Sequence, residues 1–168
     1  MLRAASKFTS DKYVLKQIYF SRIRCKLEQS AAVWNSSLTL KNIDDLERVQ
    51  KAAVRIINGR PYESYTETLK NLGIMRLSAR RDIICLKFAK NSMKLNNFKH
   101  LFPKHSNMHE MVTRQQEKYH VVKSNSKRHF MSAIPSMQQL LNREFVEKKL
   151  LQKKLMNSMM SPTNFASS

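Results

Sequence analysis

Apolar residues recur at three- and four-residue spacing along most of the chain, and this pattern predicts a mainly helical protein. The clearest helix covers 42–58, and Gly59 followed by Pro61 is a strong signal for its end. Its predicted apolar face consists of Leu46, Val49, Ala53, Ile56 and Ile57. Aspartates near its start and acid–base pairs four residues apart favour the same helix.

Four further stretches predict helices. The first, 12–34, contains no Gly or Pro, and its apolar side chains surround the axis, so it needs cover on more than one side. A short helix is predicted from Tyr65 to Leu72, ended by Gly73, and a mostly buried one at 78–95. A serine at position 136 can cap the last helix.

Periodicity fades before that last helix, which predicts a long irregular loop. The predicted fold is therefore mainly α, an irregular multi-helix bundle with a long loop and a C-terminal helix. The expected organisation is a disordered start (1–10), a helical domain (11–96), an irregular connection (97–135), a C-terminal helix (136–158) and a frayed tail (159–168).

Positive charge changes this picture from a generic bundle to a nucleic-acid-binding one. The 168 residues include 31 Lys and Arg against 12 Asp and Glu, which gives a net charge of +19. Such a surplus opposes compaction unless a polyanion neutralises it, and RNA or DNA is the expected partner. The predicted phosphate contacts are Arg48, Lys51, Arg55, Arg80, Lys87, Lys90 and Lys94. For the cations, a merely solvated basic surface is the alternative. Tyr62 and Tyr65 are candidates for base stacking, with packing in the core as the alternative.

Catalysis and cofactor binding find little support in the sequence. Two glycines are too few for a phosphate-binding loop, a dinucleotide fingerprint or a nucleophile elbow. Asp44 and Asp45 open a helix, where the helix dipole explains them without a metal. Cys25 and Cys85 fall in helical patterns and are expected to be buried, inert thiols. We therefore expect no catalytic residue and no cofactor.

Metal binding and membrane insertion are not expected either. His105 and His109 could chelate a metal only from a helix, and their segment is weakly helical. No apolar run approaches the length of a membrane span.

The order of motifs, beyond their charge, is similar to one known family. The runs YFSRIRCKLEQSAAVWNSS (19–37) and IDDLERVQKAAVRIING (43–59) resemble the region just after the polymerase core of reverse transcriptases from non-LTR, LINE-type (jockey-like) retrotransposons. The matching positions are Arg24, Lys26, Leu27, Glu28, Val33, Trp34, Leu46, Glu47, Val49, Gln50, Ala53 and Arg55. Further matches in the family's order are Leu69, Leu72, Leu77, Arg80, Arg81 and the tail SAIPSMQQLLN at 132–142.

The resemblance implies a function for the helical region. It implies that 11–96 is a thumb-like domain that helps to hold a template–primer beside the polymerase palm. The palm's Tyr-x-Asp-Asp turn has no counterpart here, so the chain would be a non-catalytic C-terminal fragment of an RNA-directed DNA polymerase. The missing palm would be its partner within the parent protein and would cover one face of the first helix. One position departs from the family pattern: many members have a Tyr directly after the Leu-Glu pair, where this chain has Gln29.

Other readings of the sequence stay open. Surplus apolar surface on the first and last helices also suits a helical protein-interaction module, with self-association through those faces. The Arg-, Ser- and Ala-containing start at 1–10 has some features of a mitochondrial presequence. We expect an intracellular location, in the nucleus or cytoplasm rather than in mitochondria.

Overall fold

Helices account for most of the chain in the computed structural model, which describes residues 1–59, 64–107 and 116–160, with side chains up to 152. Within those ranges there is no strand, only an isolated antiparallel bridge between Lys104 and Tyr119. The prediction of a mainly α, multi-helix fold is confirmed. The chain divides into two compact units, Met1–Phe88 with Met131–Ala133, and Ala89–Phe130 with Ile134–Ser168.

The first unit contains six helices in full and most of a seventh among its described residues. They are α1 (Leu2–Phe8), α2 (Lys12–Ile18), α3 (Cys25–Glu28), α4 (Ala31–Trp34), α5 (Leu40–Asn58), α6 (Tyr65–Leu72) and α7 (Leu77–Lys94), whose last turns belong to the second unit. A π-helical segment, Tyr19–Arg24, joins α2 to α3, and a 3-10 turn, Asn35–Ser37, follows α4.

The predicted helix at 12–34 is present but interrupted. Asp11 caps its start, because the Asp11 carboxylate accepts a hydrogen bond of 2.8 Å from the Tyr13 amide. The helix stops after Glu28, and Ser30 adopts a left-handed conformation with φ of 54°. Since non-glycine residues rarely take that conformation, sequence pattern alone gave no signal for this break.

Helices α5 and α6 end as their sequences predict. Gly59 and Gly73, with φ of 71° and 62°, follow them in conformations that disfavour other residues. The amides of Gly73 and Ile74 bond back to the last turn of α6. Ser64 caps α6 in a reciprocal pair with Glu67, an N-terminal capping box. The boundaries predicted for α6 are confirmed.

The buried face of α5 differs from the predicted one. Its buried residues are Glu47, Gln50, Ala53, Val54 and Ile57. Val49, expected in the core, is exposed, and the true face is rotated from the predicted one by roughly a fifth of a turn. The rotation occurs because two polar side chains face the interior, where they form hydrogen bonds described below.

A single apolar cluster forms the core of the first unit. Its buried members are Leu2, Leu15, Tyr19, Ala53, Val54, Ile57, Leu69 and Ile74. Leu2 belongs to α1, so the segment expected to be a disordered start is a short helix held by its apolar side chain. In contrast, Tyr13 and Val33, near the two ends of the predicted 12–34 helix, are each 68% exposed. The cover expected for all sides of the first helix is therefore incomplete within this unit.

The second unit builds on α9 (Ala133–Met160), which begins three residues before the predicted cap Ser136. Pro135 lies in its first turn, where a missing amide hydrogen costs no hydrogen bond. Two 3-10 turns, Lys99–Leu101 and His105–Asn107, and a short helix, α8 (Lys127–Phe130), precede it.

Side chains of α9 anchor the connection that sequence predicted to be irregular. The Asn142 carboxamide accepts from the Tyr119 amide at 2.7 Å and donates to the Tyr119 carbonyl at 2.9 Å. Gln138 donates to the Leu101 carbonyl at 2.8 Å. These bonds satisfy loop backbone groups that lack a sheet or helix partner. Among the helices in the described part of the chain, none combines the length and apolarity needed to cross a bilayer.

Candidate nucleic-acid interface

Four cations lie along the exposed side of α5. Lys41, Arg48, Lys51 and Arg55 are all exposed, and we call this set the basic stripe. At about 100° per residue they fall within a sector of roughly 80°, on the side away from the buried residues. A rise of about 1.5 Å per residue makes the basic stripe about 21 Å long. The exposed carboxylate of Asp44 falls in the same sector, so the basic stripe is a row of net positive charge on one rigid element, interrupted by one acid.

Contacts within the protein leave Arg48 and Lys51 of the basic stripe accessible. Arg48 pairs with Asp45 at 3.1 Å, with side chains that are 78% and 48% exposed. Such an exposed pair contributes little free energy, so a phosphate can replace the carboxylate at small cost. The Lys51 ammonium lies 5.3 Å from the centre of the Tyr65 ring. Three of the seven predicted phosphate contacts thus share one helix face in the first unit.

The other four predicted contacts lie on α7 and are divided between the two units. Arg80 and Lys87 belong to the first unit, and Lys90 and Lys94 to the second. Arg80 donates to Glu28 at 2.8 Å and is therefore engaged in an ion pair, whereas Lys87 is exposed. Of the two α7 cations in the first unit, one is therefore held in an ion pair and the other is exposed to solvent.

Lys90 is likewise engaged within its own unit, while Lys94 is exposed. The Lys90 ammonium contacts Glu144 at 2.6 Å, and Lys148 contacts the same carboxylate at 3.1 Å. The hydrogen bond from Lys90, followed by that from Lys148, lowers the pKa of Glu144. Lys90 consequently has less charge to offer to a phosphate than an unpaired lysine has.

Tyr65, predicted to stack on bases, has a structural contact instead. Its hydroxyl donates to Glu47 at 2.7 Å, and its ring is partly covered. Burial in the first place, and the bond to Glu47 in the second, raise the pKa of Tyr65. Tyr62, the other stacking candidate, lies outside the described residues.

Replacing Tyr65 with phenylalanine should separate these two roles. The ring stays, but Glu47 loses a donor, so we expect the free energy of unfolding to fall by about 1–2 kcal/mol. If stacking by the ring contributed to binding, phenylalanine would preserve it, and a Tyr65→Ala variant alone would lose affinity. Urea unfolding and RNA titration of both variants would measure this. Equal stability of Tyr65→Phe and wild type would contradict the structural role.

Two residues that carry the family resemblance, Glu47 and Gln50, are the centre of a buried polar network. Glu47 also accepts a hydrogen bond of 2.9 Å from the Ser78 amide at the start of α7. Gln50, fully buried, accepts from the Tyr19 hydroxyl at 3.1 Å and donates to the Met75 carbonyl at 3.0 Å. The network joins α5 to the π-helical segment, to α6, to the α6–α7 connection and to the start of α7. The sequence analysis did not predict this network. The pattern that could have indicated it is the pair of polar residues, Glu47 and Gln50, beside the apolar face of α5.

Arg81, another of the positions that match the family, is buried. Its side chain is 1% exposed, and its Nε donates to the Asn35 carboxamide at 2.9 Å. The guanidinium carbon lies 5.8 Å from the centre of the Trp34 ring. Burial lowers the pKa of Arg81. This position is inaccessible, so Arg81 belongs to the scaffold and not to the interface.

The two cysteines differ, and the expectation of two buried thiols is wrong for one of them. Cys85 is buried, and burial raises the pKa of its thiol. Cys25 is exposed and donates to the Ser21 carbonyl.

Within the described ranges, no three His, Cys, Asp or Glu side chains converge as a metal site would require. His109 lies outside those ranges, so the predicted His105–His109 spacing has no structural counterpart to examine. What the described interface offers is positive charge at fixed positions, which neutralises phosphates without reading bases.

Comparison with known proteins adds no relative. No family model, no curated protein and no solved structure matches this chain. Similarity to LINE-type reverse transcriptases therefore depends on the motif residues themselves.

Proposed function

We propose that this chain is a non-catalytic C-terminal part of a LINE-type reverse transcriptase and that it binds the RNA or DNA backbone through a basic helical surface. The observation that carries the binding proposal is the basic stripe, a row of exposed cations backed by a packed core. The family proposal draws its support from motif order. It also draws support from the joint role of Glu47, Gln50, Glu28 and Arg80 in fixing helices to each other.

Contacts to phosphates dominate the affinity in this proposal. Each cation that neutralises a phosphate releases a condensed counterion, so binding should weaken steeply as salt is added. The four members of the stripe are Lys and Arg side chains on one helix face, which suits contact with the phosphate backbone.

A filter-binding titration of the full chain against RNA and DNA, repeated at several salt concentrations, tests the proposal. We expect a linear fall of log affinity with log salt, with a slope of about −3 to −4 if the four stripe cations each meet a phosphate. Immeasurable binding at low salt, or affinity independent of salt, would overturn it.

A second candidate, a helical protein-interaction module, is favoured by one observation. Phe8, Tyr13 and Leu40 are large apolar side chains that stay strongly exposed in the first unit. Exposed apolar surface of this kind is typical of a face that another protein covers. In the reverse transcriptase proposal that protein is the polymerase palm. Self-association that is unaffected by RNA, together with no RNA binding, would favour the interaction module.

A further inference from the structure

A shallow groove with an apolar floor follows the end of α6. It has a volume of about 380 Å³ and is lined by Thr66, Leu69, Lys70, Gly73, Ile74, Met75 and Arg76. Leu69 and Ile74 are themselves buried and form the floor, whereas Met75 is about half exposed at the side. Its size falls within the range of sites that hold small organic groups. We call it the α6 groove.

Cations, without opposing carboxylates, flank the α6 groove. Lys70 and Arg76 both line it, and its lining residues include no acid. The backbone carbonyls at the end of α6 also have hydrogen-bond donors. Lys16 donates to the Leu72 carbonyl, and the amides of Gly73 and Ile74 donate to carbonyls of the last turn. A ligand with an apolar, flat part and negative charges beside it complements this arrangement.

The α6 groove continues from the basic stripe. Lys51 of the stripe lies over the Tyr65 ring, and Thr66, the next residue of α6, lines the groove. The positive charge of Arg76, on the far side of the groove lining, also acts on the Tyr65 hydroxyl. Lys51 at the Tyr65 ring and Thr66 in the groove lining therefore bring one end of the stripe next to α6, the helix that lines the groove.

We propose that the α6 groove receives one unpaired base of a single-stranded segment whose flanking phosphates contact Lys70 and Arg76. The proposal rests on nucleic-acid binding by the basic stripe and adds a preference for strands with an unpaired end. The methionine thioether is flexible and polarisable, which suits contact with the flat face of any base. The groove presents few polar groups, so it should accept bases with little regard to sequence.

The test compares a blunt duplex with the same duplex carrying a three-nucleotide overhang that contains 2-aminopurine. We expect the full chain to bind the overhang duplex about fivefold more tightly, and 2-aminopurine fluorescence to rise as the base leaves its stacked neighbours for the groove. Met75→Ser should remove both effects and leave the affinity for the blunt duplex unchanged. Met131→Ser is the matched control, because Met131 is a partly exposed methionine outside the groove.

Each outcome of this test is decisive. Equal affinity for both duplexes, or equal behaviour of Met75→Ser and Met131→Ser, overturns the groove proposal and leaves the stripe proposal standing. Binding to neither duplex overturns both. Displacement of the overhang by poly-glutamate from the wild type, but not from Met75→Ser, would assign the groove to an acidic peptide and thus overturn a base-binding role. Circular dichroism of both variants confirms that they are folded.

Discussion

Replacing Arg48, Lys51 and Arg55 together with glutamine should lower nucleic-acid affinity by about two to three powers of ten at low salt. Each lost phosphate contact removes one released counterion, so the slope of log affinity against log salt should become shallower by roughly 2.7 for three contacts on a duplex. These side chains are exposed and lie outside the core, so the free energy of unfolding should change little. Fluorescence anisotropy over a range of salt concentrations measures both quantities.

The matched control removes the same charge elsewhere in the first unit. Arg3, Lys7 and Lys26 are exposed cations on α1 and α3 and are not members of the stripe. Their triple glutamine variant should retain most of the affinity and nearly the full salt slope. If the two triple variants lose affinity equally, net charge alone governs binding, and the stripe has no special role.

Replacing Glu47 with glutamine should cost about 2–3 kcal/mol of unfolding free energy. The buried carboxylate accepts from two donors at once, the Tyr65 hydroxyl at 2.7 Å and the Ser78 amide at 2.9 Å. A glutamine has only one acceptor oxygen, and its amide group would place a donor against a donor. Urea unfolding followed by circular dichroism measures the loss.

Asp44→Asn serves as the comparison for Glu47→Gln. Asp44 is exposed on the same helix, so removing its charge should change the free energy of unfolding by less than about 0.5 kcal/mol. Equal effects of the two substitutions would show that the interior position of Glu47 has no energetic importance.

Local signals were sufficient for some elements. Helix α6 could be predicted to the residue, because a capping serine at its start and Gly73 at its end are both determined by neighbours in sequence. The exposed side of α5 was also predictable, since basic residues recur along it at helical spacing.

Tertiary contacts explain where the predictions failed. Glu47 and Gln50 are polar, so periodicity assigned them to solvent, yet their partners come from segments about 20 to 30 residues away. Helix α1 is held in place by the burial of Leu2 in the core, a contact that no local sequence pattern predicts. Arg80 looked like a phosphate contact because sequence spacing does not reveal that Glu28 lies beside it. The α6 groove is likewise a product of packing, formed where a helix end meets its connection.

The π-helical segment Tyr19–Arg24 bears on how this chain can change in length. A π turn takes up one residue more than an α turn, so deleting one residue there restores a regular α-helix and leaves the residues downstream on nearly the same face. Glu28, 2.8 Å from Arg80, should keep its ion pair after such a deletion. A deletion within the regular α-helix α2 has no extra residue to absorb it, so it should turn everything downstream by about 100° and move Glu28 away from Arg80.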